Sequence, residues 1–333
     1  MGKTQNAIGK LFAGDIGAIP KLQFTRTFDS LSSKGQTILF DVPQMPSPLL
    51  GYAIWPETKK DEDKLSGAIN KICDEDIGVK LVKNTETGEQ ILYTMGEQHM
   101  ESVLQKLRDK YGASVTTSVP KVAFRETIRK KVVGEGRHKK QTGGSGQFGH
   151  VYVEFEPYDT DDMVFETRVV GGAVPKQYFG ATEQGIREAM LEGILAGYKV
   201  VGIKATLFDG KYHEVDSKEI AFKSAGRLAY LDAMPKAVPQ LLEPIALLEI
   251  VTPETYTGTI MGDLNKRRGM IMSVDALENG QTVIKAEVPE VEVKRYVSEL
   301  RAMSQGSATY HQEFVRYDIV PEGMVQQLLN LNK

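Results

Sequence analysis

Arg137-His138-Lys139-Lys140-Gln141-Thr142-Gly143-Gly144-Ser145-Gly146-Gln147-Phe148-Gly149-His150-Val151 is a basic run that leads into four glycines within seven positions and then into a strand-like segment. Clustered glycines let a backbone turn tightly and come close to a phosphate, and the cations beside them supply counter-charge. Gly144 to Val151 also spells G-x-G-x-x-G-x-V, the glycine-rich loop of protein kinases. The surroundings exclude that chemistry. Residues 151–166 contain no lysine for a following strand, and no H-R-D-x-x-x-x-N loop occurs. Phe208-Asp209-Gly210 has the wrong order for D-F-G. A glycine motif without its context is weak evidence.

The charge around this stretch is uneven. From Lys121 to Gly149 eight Lys or Arg face only Glu126 and Glu135, a local +6 in a chain of net charge −3, so the remainder carries −9. A basic patch on an acidic chain points to one specific anionic partner surface; the alternative is a solvated basic strand. At 333 residues, 41% hydrophobic and 26% charged, the chain has the composition of a soluble multidomain protein. No apolar run approaches the ~18 residues of a membrane span, and no signal core follows Met1. Cys73 is the only cysteine, which fits a reducing cytoplasm. The histidines His99, His138, His150, His213 and His311 lack metal-ligand spacing.

Outward from the basic loop, three patterns appear. Residues 43–119 give strand, helix, two strands, helix, strand: Leu50 to Trp55, Lys59 to Asp74, Val79 to Lys83, Gln90 to Thr94, Glu97 to Tyr111 and Ser114 to Ser118. Leu65, Ala68, Ile69 and Ile72 fall at helical spacing. This is the ferredoxin-like order. It recurs in residues 238–333, with strands at Ile245 to Thr252, Met270 to Ala276, Thr282 to Val288 and Ala308 to Tyr317, and helices at Glu254 to Arg268 and Val291 to Met303. Between them, residues 120–237 predict strands at Val122 to Val133, His150 to Tyr158 and Met163 to Val170. A long helix over Gln177 to Leu195, a strand over Lys199 to Phe208 and a helix over Ser217 to Met234 follow. The basic glycine stretch is the hairpin connection of this middle unit. Residues 1–42 predict short strands at Ile8 to Ala13, Leu22 to Phe28 and Thr37 to Val42, too few to close a barrel.

Several ordered motifs carry a resemblance to one family. They are Ala13-Gly14-Asp15-Ile16, Met95-Gly96-Glu97-Gln98-His99-Met100-Glu101, Arg125-Glu126-Thr127-Ile128, His138 to Val151, Leu195-Ala196-Gly197-Tyr198, Asp209 to Lys223, Leu241-Leu242-Glu243-Pro244-Ile245 and Gly262-Asp263-Leu264-Asn265-Lys266-Arg267-Arg268-Gly269. Over almost its whole length the chain resembles the C-terminal part of bacterial elongation factor G, the translocation GTPase. The resemblance implies an α+β multidomain fold. Residues 1–42 would be the remnant of a domain II β-barrel and 43–119 a ferredoxin-like domain III. Residues 120–237 would be domain IV, an elongated arm like ribosomal protein S5, and 238–333 a ferredoxin-like domain V with a C-terminal extension. Ser145 stands where many members carry arginine.

The resemblance also implies function. No G-x-x-x-x-G-K-[ST] or N-K-x-D motif occurs, so this chain is expected to be no enzyme and to hold no cofactor or metal. GTP and Mg²⁺ would belong to the parent's GTPase domain. The expected partners are the ribosome (16S and 23S rRNA and ribosomal proteins) and the tRNA–mRNA complex, met by a cytoplasmic monomer away from any membrane. Arg137, His138, Lys139, Lys140, Gln141, Gly143, Gly144, Ser145, Gly146 and Gln147 would form one tip loop of the arm. His213 and Asp216 would belong to a second, with Asp216 or Ser217 as a helix cap. Lys266, Arg267 and Arg268 would either touch ribosomal RNA or complement a helix C-terminus. Gly171-Gly172-Ala173-Val174-Pro175 would be a third tip loop or a plain helix start, and Glu97 favours the positive N-terminus of its helix. The alternatives are a paralogue that recycles or protects ribosomes and, in a different class, a stand-alone RNA-binding module.

Overall fold

The computed structural model describes residues 7–43, 45, 47–140 and 146–331. Three sheets follow one another along the chain. The first contains β1 (Leu50–Pro56), β2 (Lys80–Lys83), β3 (Gln90–Thr94) and β4 (Val115–Ser118), in the order β2-β3-β1-β4. Helices α1 (Lys59–Glu75) and α2 (Glu97–Tyr111) cover one face. Thr58 caps α1 through a reciprocal box with Asp61, and Leu65, Ala68, Ile69 and Ile72 are buried as their spacing predicts. Gly112, at φ 61, ends α2 in the left-handed conformation that glycine takes without strain.

In the C-terminal unit, β10 (Pro239–Pro253), β11 (Met270–Ala276), β12 (Gln281–Pro289) and β13 (Thr309–Ile319) repeat that topology in the order β11-β12-β10-β13, with α5 (Glu254–Lys266) and α6 (Tyr296–Met303). The expected helix over Val291 to Met303 is shorter than its apolar pattern. A 3₁₀ turn at Glu290–Glu292 precedes it, and α6 begins only at Tyr296.

The middle unit holds β6 (Val132–Lys140), β7 (Gln147–Pro157), β8 (Met163–Thr167) and β9 (Ile203–Lys211) in the order β6-β7-β9-β8. Helices α3 (Phe179–Met190) and α4 (Glu219–Ala233) lie on one face. Close approach of α4 explains several glycines. A Cβ on Gly136 would sit 1.9 Å from the Ala225 carbonyl oxygen, and one on Gly134 2.0 Å from that of Ala229.

Three further expectations need correction. The strand expected over Val122 to Val133 is two. β5 (Arg125–Ile128) leaves the middle sheet and pairs antiparallel with Pro239–Leu242 of β10, so the arm and the C-terminal unit share a sheet. The long helix expected to reach Leu195 stops at Met190. Gly193 and Gly197 take φ values of +72° and +85°, and backbone N–H groups of Ile194, Leu195, Ala196 and Tyr198 all donate to the Glu126 carboxylate. The β segments expected in residues 1–42 do not form among the described residues 7–43. Ile16 is 99% exposed and Phe24 90%, with no sheet edge to supply ladder partners. Finally, the sequence patterns do not announce the C-terminal helix α7 (Val325–Leu331). Its Leu328 packs with Val122, Phe124, Leu241 and Val320.

No helix among the described residues is long and apolar enough to cross a membrane.

Candidate nucleic-acid interface

The far end of the middle sheet is where the expected tip residues meet. Arg137, His138, Lys139 and Lys140 finish β6, and Gln147 begins β7. Gln141, Gly143, Gly144 and Ser145 lie outside the described residues. Strand alternation divides the basic run. Arg137 pairs across the ladder with His150 and Lys139 with Phe148, while His138 opposes Gly149 and Lys140 opposes Gln147. Cross-strand partners share a face. Gly134, Gly136 and Gly149 approach α4, so His138, Lys140 and Gln147 lie on the helix side. Arg137 and Lys139 lie on the open side. His138 Nε2 sits 2.8 Å from Gln147 Oε1.

The second loop, between β9 and α4, is bound to this hairpin. The Phe148 N–H donates to the Asp216 carbonyl at 2.9 Å. Ser217 Oγ donates to the Phe148 carbonyl at 2.9 Å and accepts the His213 N–H at 2.8 Å. Tyr178, stacked on Phe222, donates its hydroxyl to the Ser217 carbonyl at 2.9 Å. A Cβ on Gly146 would lie 2.3 Å from the Asp216 carboxylate, so glycine permits the two loops to touch. Neither Asp216 nor Ser217 caps the helix. The cap position is Lys218, without a side-chain cap bond, because the Ser217 hydroxyl is engaged across the loops. Ser217, expected as a possible helix cap, instead positions the two loops against each other.

His213 lies in that loop with its side chain 53% exposed. Its Nδ1 accepts the N–H groups of Val215 and Asp216 at 3.3 and 3.2 Å. The neutral ring in this arrangement therefore carries its proton on Nε2, as an outward donor. Gly171 and Gly172, at φ +67° and +71°, form a turn ahead of Pro175, which starts the short helix before α3.

Cations along the arm differ in their engagement, and Arg129, Lys130 and Lys176 are exposed with no ion pair among the described residues. On its shaft, Lys131, Arg168, Lys204, Lys223 and Arg227 each pair with a carboxylate. At the tip, Arg137, Lys139 and Lys140 are exposed and make no ion pair among the described residues. His150, buried beneath them, meets Glu135 at 2.7 Å, and Tyr152 donates to the same carboxylate. Burial first, and then that Glu135 bond, push the Tyr152 phenol above its ordinary pKa.

Lys266, Arg267 and Arg268 sit apart, at the end of α5. Lys266 is exposed. Arg267 is held by Asp263 at 2.7 Å and Glu299 at 2.6 Å. Arg268, at φ 61, grips the buried Glu243 with both terminal nitrogens, at 2.6 and 2.9 Å, and reaches Glu292 at 3.0 Å. Burial works against the Arg268 charge, but the two carboxylates outweigh it and hold its pKa above the ordinary value. These two arginines are engaged inside the C-terminal unit. Glu97 likewise does more than favour a helix N-terminus. It accepts from Tyr52 at 3.0 Å and, across to the C-terminal unit, from Arg295 at 3.1 Å and Ser298 at 3.2 Å. Among the described residues no group of His, Cys, Asp and Glu is arranged to hold a metal.

Known proteins resemble this chain in sequence and overall fold. Residues 45–119 match the family model for elongation factor G, domain III, residues 120–238 that for domain IV, and residues 240–328 that for the elongation factor G C-terminus. Elongation factor G from Fervidobacterium nodosum is 47% identical over 320 residues, which is 95% of this chain and 46% of the relative. The chain thus spans about half the length of that relative. A crystal structure of a Thermus thermophilus protein superposes with a TM-score of 0.79 at 40% identity, covering 87% of this chain and 44% of the other. The chain belongs to the elongation factor G family.

Proposed function

We propose that this chain is the portion of a ribosomal translocase that enters the decoding (A) site of the ribosome's small half, where the tip of the middle unit follows the tRNA–mRNA duplex and blocks its return. The observation that carries this reading is the cluster of three cations without ion pairs, Arg137, Lys139 and Lys140, at the end of one hairpin. Charges without internal partners, set beside glycines and next to a donor-bearing histidine, suit phosphate and 2′-hydroxyl contact. The Glu97 clamp and the shared β5–β10 sheet give the arm a stiff base against which to act. The proposed partners are 16S and 23S rRNA, ribosomal proteins and the tRNA–mRNA complex, in the cytoplasm, with the protein a monomer. GTP hydrolysis with Mg²⁺ belongs, on this reading, to another domain of the intact factor.

The test is a double substitution. Lys139→Ala with Lys140→Ala removes two phosphate-neutralising charges. It should weaken ribosome binding and flatten its salt slope by up to roughly two units. Stability should change by less than about 0.5 kcal/mol, as for exposed charges in general. Unchanged affinity and salt dependence together with a fallen melting temperature would make the basic run structural.

A further inference from the structure

We infer that the open face of the arm's sheet, centred on Phe148 and Lys211, is a stacking site for an unpaired RNA base, set against the loops at the tip. The inference rests on the arm being an RNA-contacting element, and it gives the aromatic ring of Phe148 and the cation of Lys211 a role that the phosphate-contacting reading of the basic run does not.

Three strands build the face. Lys139 lies directly opposite Phe148, and Arg137 opposite His150. His150 in turn lies opposite Lys211 on β9. The Phe148 ring is partly exposed and has the His213 ring 6.4 Å away, tilted by 59°. Further along β7, Tyr152 stands 4.9 Å from His150 and 6.3 Å from Phe208. Arg137, Lys139 and Lys211 are exposed and make no ion pair among the described residues. The acids on the same face differ in their engagement. Glu135 is taken up by His150 and Tyr152, while Asp209 accepts the Gly210 N–H.

An aromatic ring rimmed by unpaired cations on an open sheet face is the arrangement that holds single-stranded nucleic acid. The bases stack on the rings and the phosphates meet the cations. The opposite face of the hairpin cannot do this, because α4 lies against Gly134, Gly136 and Gly149 and leaves no room for a base. The Phe148 backbone is tied to Asp216 and Ser217 on both its N–H and its carbonyl. Its ring is therefore presented on a fixed mount, and side-chain substitution leaves those bonds in place.

The experiment uses the full chain and a single-stranded RNA hexamer with 2-aminopurine at its centre. Titration should quench the probe. Phe148→Leu should weaken binding roughly tenfold and remove the quenching, whereas Phe148→Tyr should retain both. Lys211→Ala should weaken binding and flatten the salt slope by about 0.7. Equal binding and quenching by wild type and Phe148→Leu would overturn the inference. So would equal loss in Phe148→Leu and Phe148→Tyr, since a structural role does not depend on an aromatic face. Thermal melts of both variants, with titrations below both midpoints, keep folding out of the comparison. The two readings also separate. If Lys139→Ala with Lys140→Ala lowers ribosome binding but Phe148→Leu leaves the hexamer bound and quenched, the arm contacts RNA and this stacking site is wrong. If that double variant leaves ribosome binding intact, the arm reading itself fails.

Discussion

Glu126→Ala is expected to destabilise the arm by about 3–5 kcal/mol, in the range for a buried charge network that loses one member. Glu126 is fully buried, and its two oxygens accept four backbone N–H groups between Ile194 and Tyr198. Hydrogen bonds to a charged acceptor are among the stronger ones. Removing the carboxylate strands donors in a segment whose glycines already hold left-handed conformations. The same residue bonds by its backbone to Lys199 and Val201, so the loss would spread into the start of β9. Glu126→Gln keeps an acceptor but turns an amide N–H₂ toward N–H donors, and should cost about half as much. Denaturant unfolding checks the magnitude. Hydrogen exchange should show opening over residues 191–202 before global unfolding. A loss below about 1 kcal/mol would mean that water replaces the carboxylate at little cost.

Arg268→Ala should cost a comparable amount, about 3–5 kcal/mol, because it strips the Glu243 carboxyl, at 2% exposure, of its ion-pair partner. Glu243 sits on β10 one residue beyond the four that pair with β5, so the weakening falls where the arm joins the C-terminal unit. Urea unfolding of the variant should show the C-terminal unit releasing first. Ribosomal RNA affinity, measured well below that transition, should stay near the wild-type value. A variant with unchanged stability and much weaker RNA binding would return Arg268 to the role of an RNA contact.

Local features are the ones legible in the sequence. Leu65, Ala68, Ile69 and Ile72 mark α1 because a 3.6-residue period acts within one helix. The repeated ferredoxin-like order is legible for the same reason, as is the hairpin after the basic run. Long-range partners are not. Arg125 to Ile128 reads as continuous with Val132 because nothing in a strand's own residues says which edge it joins, and the edge it joins lies far along the chain on β10. Glu126 reads as a stray acid in a basic stretch, yet its role is set by the loop from Ile194 to Tyr198. Arg267 and Arg268 read as free cations because most of their acids lie elsewhere, on β10, in the 3₁₀ turn and on α6. The N-terminal segments read as strands that do not form. Apolar alternation is needed for a strand, but without a paired edge it does not make one. At the tip, the residue types are visible in the sequence, while the division of the basic run between two faces emerges only from the register of β6 with β7.

The proposal that the arm works by positioned contact with the tRNA–mRNA complex is put to its sharpest trial at His213. Its Nδ1 is occupied by two backbone N–H groups, and its exposed Nε2–H is free to donate to a phosphate or 2′-hydroxyl. His213→Ala, placed in the intact factor, should leave single-round ribosome-stimulated GTP hydrolysis near the wild-type rate and slow tRNA movement roughly tenfold or more, the loss of one or two contacts that matter during the step. Both rates are measured on the same complexes. Slowed movement with normal hydrolysis is the predicted result; equal loss of both rates, or no change in either, would contradict positioned contact.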